Sequence, residues 1–114
     1  MERELTLAPS TRRSKGKESV TSESVYVIFL ENAKPLSREA VEQHVSHLRA
    51  LDDADKLVLC GPFADYAGGM VAIRAASLEE AHAVANKDPF VAGGFRTYSI
   101  RTLEQAHREN GYLL

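Results

Sequence analysis

Residues 25 to 30 of this chain are apolar at every position, and this run constrains the fold more than any other feature. Its β-branched and aromatic side chains predict a β-strand. Successive side chains of a strand point to opposite faces of its sheet, so both faces of this strand must be covered. A layer of helices covers only one face, and the other face needs a second cover.

A helix is predicted from about residue 38 to residue 52, because apolar side chains recur there with a helical period. At about 100° per residue, one stripe of this helix consists of Val41, Val45, Leu48 and Leu51. His44 lies inside that stripe, and His47 lies at its margin. We therefore expect His44 to point toward the interior of the protein.

The remaining pattern predicts strands at residues 57–60, 70–75 and 95–101, and a helix at residues 78–87 that begins with a capping box at Ser77 and Glu80. The order strand, helix, strand, strand, helix, strand is typical of the ferredoxin-like split β-α-β unit. We expect an α+β fold with both helices on one face of a four-stranded antiparallel sheet. The third strand is also apolar on both faces, so a second copy of the sheet is the simplest cover and a homodimer is predicted.

The first 22 residues differ from the rest of the 114-residue chain, because they are rich in Ser, Thr, Arg and Lys and show no sustained hydrophobic period. Such a segment buries too little apolar surface to offset its ordering entropy. We predict a flexible N-terminal extension at residues 1–22 and one domain, with its C-terminal tail, at residues 23–114.

Composition and charge limit the partners of this domain. The net charge of −2 and the lack of a basic stripe argue against a nucleic-acid partner. No apolar run is long enough to cross a bilayer or to serve as a signal peptide, so we expect no membrane partner. Cys60 is the single cysteine, which excludes an intrachain disulfide and favours a reducing, cytoplasmic setting.

Five short motifs together closely resemble the YCII-related (YciI-like) family. They are His44-x-x-x-Leu48-x-x-Leu51, 56–63 (KLVLCGPF), 77–81 (SLEEA), 88–91 (DPFV) and 109–114 (ENGYLL). The resemblance covers residues 25–114. It implies a dimeric ferredoxin-like α/β barrel whose pocket holds a catalytic His and Asp. Better understood relatives include a dehydrochlorinase of chlorinated hydroxyquinol breakdown and, by fold, muconolactone isomerase.

The resemblance also assigns residues. The family's histidine corresponds to His44 rather than His47, by its distance from the Gly-Pro pair, and the family's aspartate corresponds to Asp88. Predicted substrate-binding positions are His47, Gly61, Pro62, Phe63 and Phe90.

The chemistry of the pair is acid-base. Imidazole titrates near neutral pH, so a histidine in an apolar pocket can remove or return a proton, and a carboxylate can orient it. Each residue also has a structural interpretation: His44 as a satisfied core residue, and Asp88 as the N-cap of a helix with Pro89 at its first position. Both roles of Asp88 can hold at once. Two histidines three residues apart, without a carboxylate in the same period, make a poor metal site, so no metal and no cofactor are predicted.

Two functions follow from these residues. The first is a small cofactor-free lyase or isomerase that acts on an aromatic or enolisable metabolite, with His44 and Asp88 as an acid-base pair. The second is a non-catalytic dimeric module that binds a small ligand or a protein partner. An open pocket in which His44 reaches Asp88 favours the enzyme, whereas a dry, packed His44 favours the module.

Overall fold

The computed structural model describes residues 24–114, and the predicted extension at residues 1–22 lies outside them. Residues 24–114 form four strands and three helices, followed by a 3-10 segment near the C-terminus at Arg108–Leu113. These elements are β1 at Ser24–Asn32, α1 at Arg38–Asp53, β2 at Leu57–Pro62, β3 at Gly68–Ala75, α2 at Leu78–Lys87, α3 at Pro89–Ala92 and β4 at Arg96–Leu103. The predicted element order is confirmed, with α3 as an addition.

The strands form one antiparallel sheet in the order β2-β3-β1-β4, with the first strand in the interior of the sheet. Helices α1 and α2 lie on one face, which confirms the predicted ferredoxin-like α+β fold. The core between the sheet and these helices consists of Tyr26, Ile28, Leu30, Leu51, Val71, Ile73, Ala75, Ala81 and Ala85.

The second strand extends further than the sequence predicts. The prediction ends it at Cys60, because Gly61 and Pro62 normally interrupt a strand. In the structure β2 continues to Pro62, which pairs with Gly69 of β3. Because β2 is an edge strand, a proline that cannot donate a hydrogen bond is tolerated there. The difference places Gly61 and Pro62 in the sheet rather than in a turn.

The sheet face opposite the helices carries an apolar patch on β1, β2 and β3. Val27 pairs with Ala72, which also pairs with Leu59, and residues directly opposite each other in an antiparallel pair share a face. Phe29, two residues after Val27, extends the same surface, and the side chains of Phe29 and Leu59 are exposed in the single chain. Within residues 24–114, none of the helices has the length and apolar character needed to span a membrane.

Candidate active site

His44 reaches the interior because of the way α1 begins and is patterned. Ser37 caps the helix, and its side chain accepts a hydrogen bond from the backbone N–H of Ala40 at 3.1 Å. From this start the buried side chains of α1 are Ala40, His44 and Leu51, which share one face at helical spacing. His44 is only 9% exposed.

Asp88 is placed by the junction between two helices. It follows the last residue of α2 and is the N-cap of α3, with Pro89 at the first helical position. Its Oδ1 accepts a hydrogen bond from the backbone N–H of Phe90 at 2.9 Å. Asp88 is 3% exposed, and its carboxylate points toward α1. The capping role expected from the sequence is therefore present.

The same Oδ1 atom lies 2.8 Å from Nδ1 of His44. An ionised carboxylate can only accept hydrogen bonds, so this contact favours the tautomer in which Nδ1 carries the proton. Nε2 then keeps its lone pair and can accept a proton. Asp88 thus caps α3 and orients His44 at once, and the pair has the arrangement of a general base with its orienting carboxylate.

The ring of Phe90 fixes the plane of the imidazole. The two ring centroids are 4.1 Å apart, and the planes meet at 18°, which is a stacked arrangement. Phe90 is itself buried and lies in the short helix that Asp88 caps. One capped turn therefore supplies both the carboxylate and the aromatic platform of His44.

A cavity of about 310 Å³ adjoins this pair. Its size lies at the lower end of the range for small-molecule sites. Its walls are mostly aliphatic and aromatic, and two of its side chains carry nitrogen. The lining residues are Leu30, Leu36, Val41, His44, Val45, Leu48, Gly61, Pro62, Met70, Val71, Phe90 and Arg96.

The structure places the predicted substrate-binding residues in two groups. Gly61, Pro62 and Phe90 line the cavity together with His44. Phe63 and His47 are not among the lining residues. Phe63 lies just beyond β2, and its ring meets that of Tyr66 edge to face, with the centroids 6.4 Å apart.

His47 lies close to the His44–Asp88 pair but outside the cavity wall. Partial burial lowers the pKa of His47 below its ordinary value, and the neighbouring His44 and Lys87 act in the same direction. The carboxylate of Asp88 opposes this shift. His47 is thus electrostatically linked to Asp88, and a contact with substrate stays a prediction.

Arg96 is the cavity residue that the sequence analysis missed. It is the first residue of β4 and is 8% exposed, although arginine is ordinarily a surface residue. The signal lay in the alternation of β4, since Arg96 shares a face with Tyr98 and Ile100, which pack against the core. The arginine thereby takes a core-facing position.

Cys60 is a partly buried free thiol that packs against the core. Among residues 24–114, no three or more His, Cys, Asp or Glu side chains are grouped so that they could hold a metal ion.

The fold and the site together define a class of protein. Its members are small α+β proteins with a buried His–Asp pair beside a cavity. The family model for the YCII-related domain matches residues 24–104. The chain belongs to the YCII-related family, which confirms the resemblance found in its sequence.

Two known proteins are similar to this chain. The uncharacterised protein YjpA of Bacillus subtilis (strain 168) is 34% identical over 76 residues, which cover 67% of this chain and 89% of that protein. A solved structure of 5-chloro-2-hydroxyhydroquinone dehydrochlorinase (TftG) from Burkholderia phenoliruptrix, in complex with 2,5-dihydroxybenzoquinone, matches with a TM-score of 0.57. It covers 71% of this chain and 94% of its own chain at 18% identity, which supports a shared fold.

Proposed function

We propose that this protein is a small lyase or isomerase that moves a proton on an aromatic or enolisable metabolite, without a metal or an organic cofactor. The observation that carries the proposal is the 2.8 Å contact between His44 and Asp88 at the wall of a cavity. In this proposal Nε2 of His44 is the general base. Asp88 holds the imidazole in the required tautomer and stabilises the imidazolium that forms.

An elimination reaction needs only the His44–Asp88 pair. Nε2 takes a proton from a saturated carbon next to a carbonyl group, which a phenol supplies in its keto tautomer. The electron pair of the broken C–H bond forms a C=C double bond as a leaving group such as chloride departs with its own pair. In the isomerase version no group leaves, and the proton on Nε2 returns to a different carbon. Neither version changes the oxidation state of the protein.

The structural neighbour supports the choice of chemistry. It is a dehydrochlorinase, and its solved complex holds a quinone-like ring compound. A cavity of about 310 Å³ with apolar walls suits one ring of that size. We therefore include chlorinated hydroxyquinols among the candidate substrates.

We also propose that the protein acts as a homodimer. On the outer face of the sheet, Phe29 and Leu59 are exposed in the single chain, and they share this apolar surface with Val27 and Ala72. In a symmetric dimer, this surface would be buried against the same surface of the second copy. Left exposed, an apolar surface of this kind promotes aggregation. The cytoplasmic location inferred from the single cysteine belongs to the same proposal.

A non-catalytic binding module is the second candidate, and one observation favours it. The hydrogen bond between His44 and Asp88 joins α1 to the capped start of α3, so it also has a purely structural use. In that case the cavity would bind a small ligand without changing it.

The test is proton exchange. The purified protein is incubated in D₂O with 5-chloro-2-hydroxyhydroquinone and with a panel of phenols and enolisable ketones, with and without a carboxylate group. Chloride release and deuterium incorporation are then followed by NMR. We expect turnover of at least one compound, and a fall of at least about 100-fold in His44→Gln, which removes the base but keeps a hydrogen-bonding side chain. His82→Gln, in the exposed face of α2, should be unaffected.

Two results would count against the enzyme. Full activity in His44→Gln would remove that residue from the mechanism. Saturable ligand binding without any exchange or release across the panel would favour the binding module.

A further inference from the structure

We infer that the cavity selects small apolar carboxylates, and that Arg96 binds their negative charge. This inference rests on the proposed function in that it names the substrate class of the same cavity. Arg96 lines the cavity beside His44 and supplies a cationic group to walls that are otherwise largely apolar.

The guanidinium of Arg96 is held from one side only. Nε donates a hydrogen bond to Oδ1 of Asn32 at 2.7 Å, and Cζ lies 4.6 Å from the centroid of the Phe90 ring. Within the described part of the chain, Nη1 and Nη2 donate no hydrogen bond and no carboxylate forms an ion pair with Arg96. The end of the guanidinium fork is therefore available.

An unpaired buried cation is unusual. Removing a charge from water is costly unless an opposite charge and hydrogen bonds compensate, so buried arginines are normally paired. Burial lowers the pKa of Arg96, while the negative charge of Asp88 acts in the opposite direction. Asp88 already accepts hydrogen bonds from His44 and Phe90, so it does not take the place of a direct partner. A ligand anion would complete the site.

The shape of the free donors indicates which anion fits. Nε donates its hydrogen bond to Asn32, so the two terminal nitrogens remain as donors that lie side by side. This end of a guanidinium matches the two oxygens of a carboxylate in a bidentate pair. The rest of the ligand must be apolar, because its neighbours would be side chains such as Leu48, Val45 and Met70.

The position of Arg96 relative to His44 links binding to chemistry. The ring of Phe90 contacts both groups, stacking on His44 and lying under the guanidinium of Arg96. The cation and the base thus contact the same ring and line the same cavity. A carboxylate bound at Arg96 would hold the body of a one-ring ligand next to His44. Arg96 is in this view a binding and specificity residue, and His44 remains the base.

The experiment compares matched acids and amides. Binding of benzoate, 2-hydroxybenzoate and cyclohexene carboxylate, and of the corresponding primary amides, is measured on the full-length protein by titration calorimetry. Amide chemical shifts near Phe90 locate the binding site. We expect each pocket-binding acid to bind at least about tenfold more tightly than its amide, because a charge-assisted bidentate pair is replaced by a neutral contact. This arm needs no variant, so it is valid even if changes at Arg96 impair folding.

Variants supply the second arm. Arg96→Met should remove the preference for acids, and Arg96→Lys, which keeps the charge but loses the fork, should keep only part of it. Arg49→Met, an exposed position of α1 outside the cavity, is the matched control and should bind as the wild type does.

The outcomes separate this inference from the proposed function. Equal binding of acids and amides, or no acid bound at about 10 mM, would overturn the carboxylate site while leaving the proton-exchange assay free to support His44. Acid selectivity that is lost in Arg96→Met supports the site even if no turnover is found. Acid selectivity that survives in Arg96→Met would place the anion elsewhere and would also overturn the inference.

Discussion

His44 and Asp88 are 44 positions apart in the sequence, and yet Nδ1 of the first lies 2.8 Å from Oδ1 of the second. The contact joins the middle of α1 to the start of α3. Because Oδ1 also accepts the backbone N–H of Phe90, a single oxygen atom serves both the helix cap and the imidazole. The structural and chemical roles of Asp88 can be separated by substitution.

Asp88→Asn should separate them. An asparagine side chain is as good an N-cap as aspartate, so the melting temperature should change little. Without the negative charge, the imidazolium formed in the reaction loses its counter-charge, and turnover should fall by about 100-fold or more. Asp88→Ala should reduce both the melting temperature and the turnover. Loss of the cap alone should lower the free energy of unfolding by about 0.5–2 kcal/mol. Thermal unfolding and turnover are measured in parallel. Wild-type turnover in Asp88→Asn would leave Asp88 as a cap only.

The dimer is tested on the outer face of the sheet. Leu59 is 61% exposed in the single chain and lies on the apolar surface that also carries Phe29. Leu59→Asp would place a charge in the proposed interface, and we expect it to shift the protein to a monomer in analytical ultracentrifugation. Leu78→Asp, an exposed apolar position of α2 in the helix layer, is the control and should stay dimeric. A stable wild-type monomer at micromolar concentration would contradict the homodimer.

The C-terminal tail should need a partner surface. Its last three side chains are apolar and exposed, with Tyr112 at 64%, and none of them lines the cavity of its own chain. Tyr112 and Leu113 also have φ values of 58° and 69°, a region that residues with side chains rarely adopt. We predict that the tail packs on the second copy, so deletion of residues 110–114 should weaken the dimer. An unchanged dimer affinity and melting temperature would show that the tail makes no such contact.

His47 gives a prediction for pH. Its folded-state pKa lies below the ordinary value of 6.5, so the unfolded chain binds more protons between these two pKa values. The contribution of His47 to the free energy of unfolding is therefore present above pH 6.5 and is lost as the pH falls toward the folded-state pKa. Measured between about pH 7.5 and pH 5, His47→Gln should show a weaker loss of stability than the wild type. An NMR titration that gives His47 a pKa above 6.5 would contradict this direction.

Much of the fold followed from sequence periodicity. The apolar run in β1 predicted a strand with two apolar faces, and the capped helical stripes predicted α1 and α2. Helix α3 was missed because four residues are too few to establish a 3.6-residue period. Its cap at Asp88 and Pro89 was nevertheless legible, since capping depends on residue type rather than on period.

The site was less accessible to sequence reasoning. His44 could be placed in the interior from its position on the stripe of α1, but its contact with Asp88 depends on how two helices pack. Arg96 was not predicted to line the cavity, because a charged side chain is expected at the surface. The alternation of β4 nevertheless places it on the face that points toward the core. The geometry around it depends on Asn32 and Phe90, which are distant in sequence and come together only in the folded chain.

The protonation of the His44 ring tests the assignment of the base most directly. In ¹⁵N-labelled protein at about pH 8, where an ordinary imidazole is neutral, long-range ¹H–¹⁵N correlation spectra distinguish the two ring nitrogens. We predict a protonated Nδ1 and an unprotonated Nε2 for His44 in the wild type, and a loss of this preference in Asp88→Ala. A proton on Nε2 in the wild type would contradict the base assignment, because the nitrogen proposed to accept the substrate proton would already carry one.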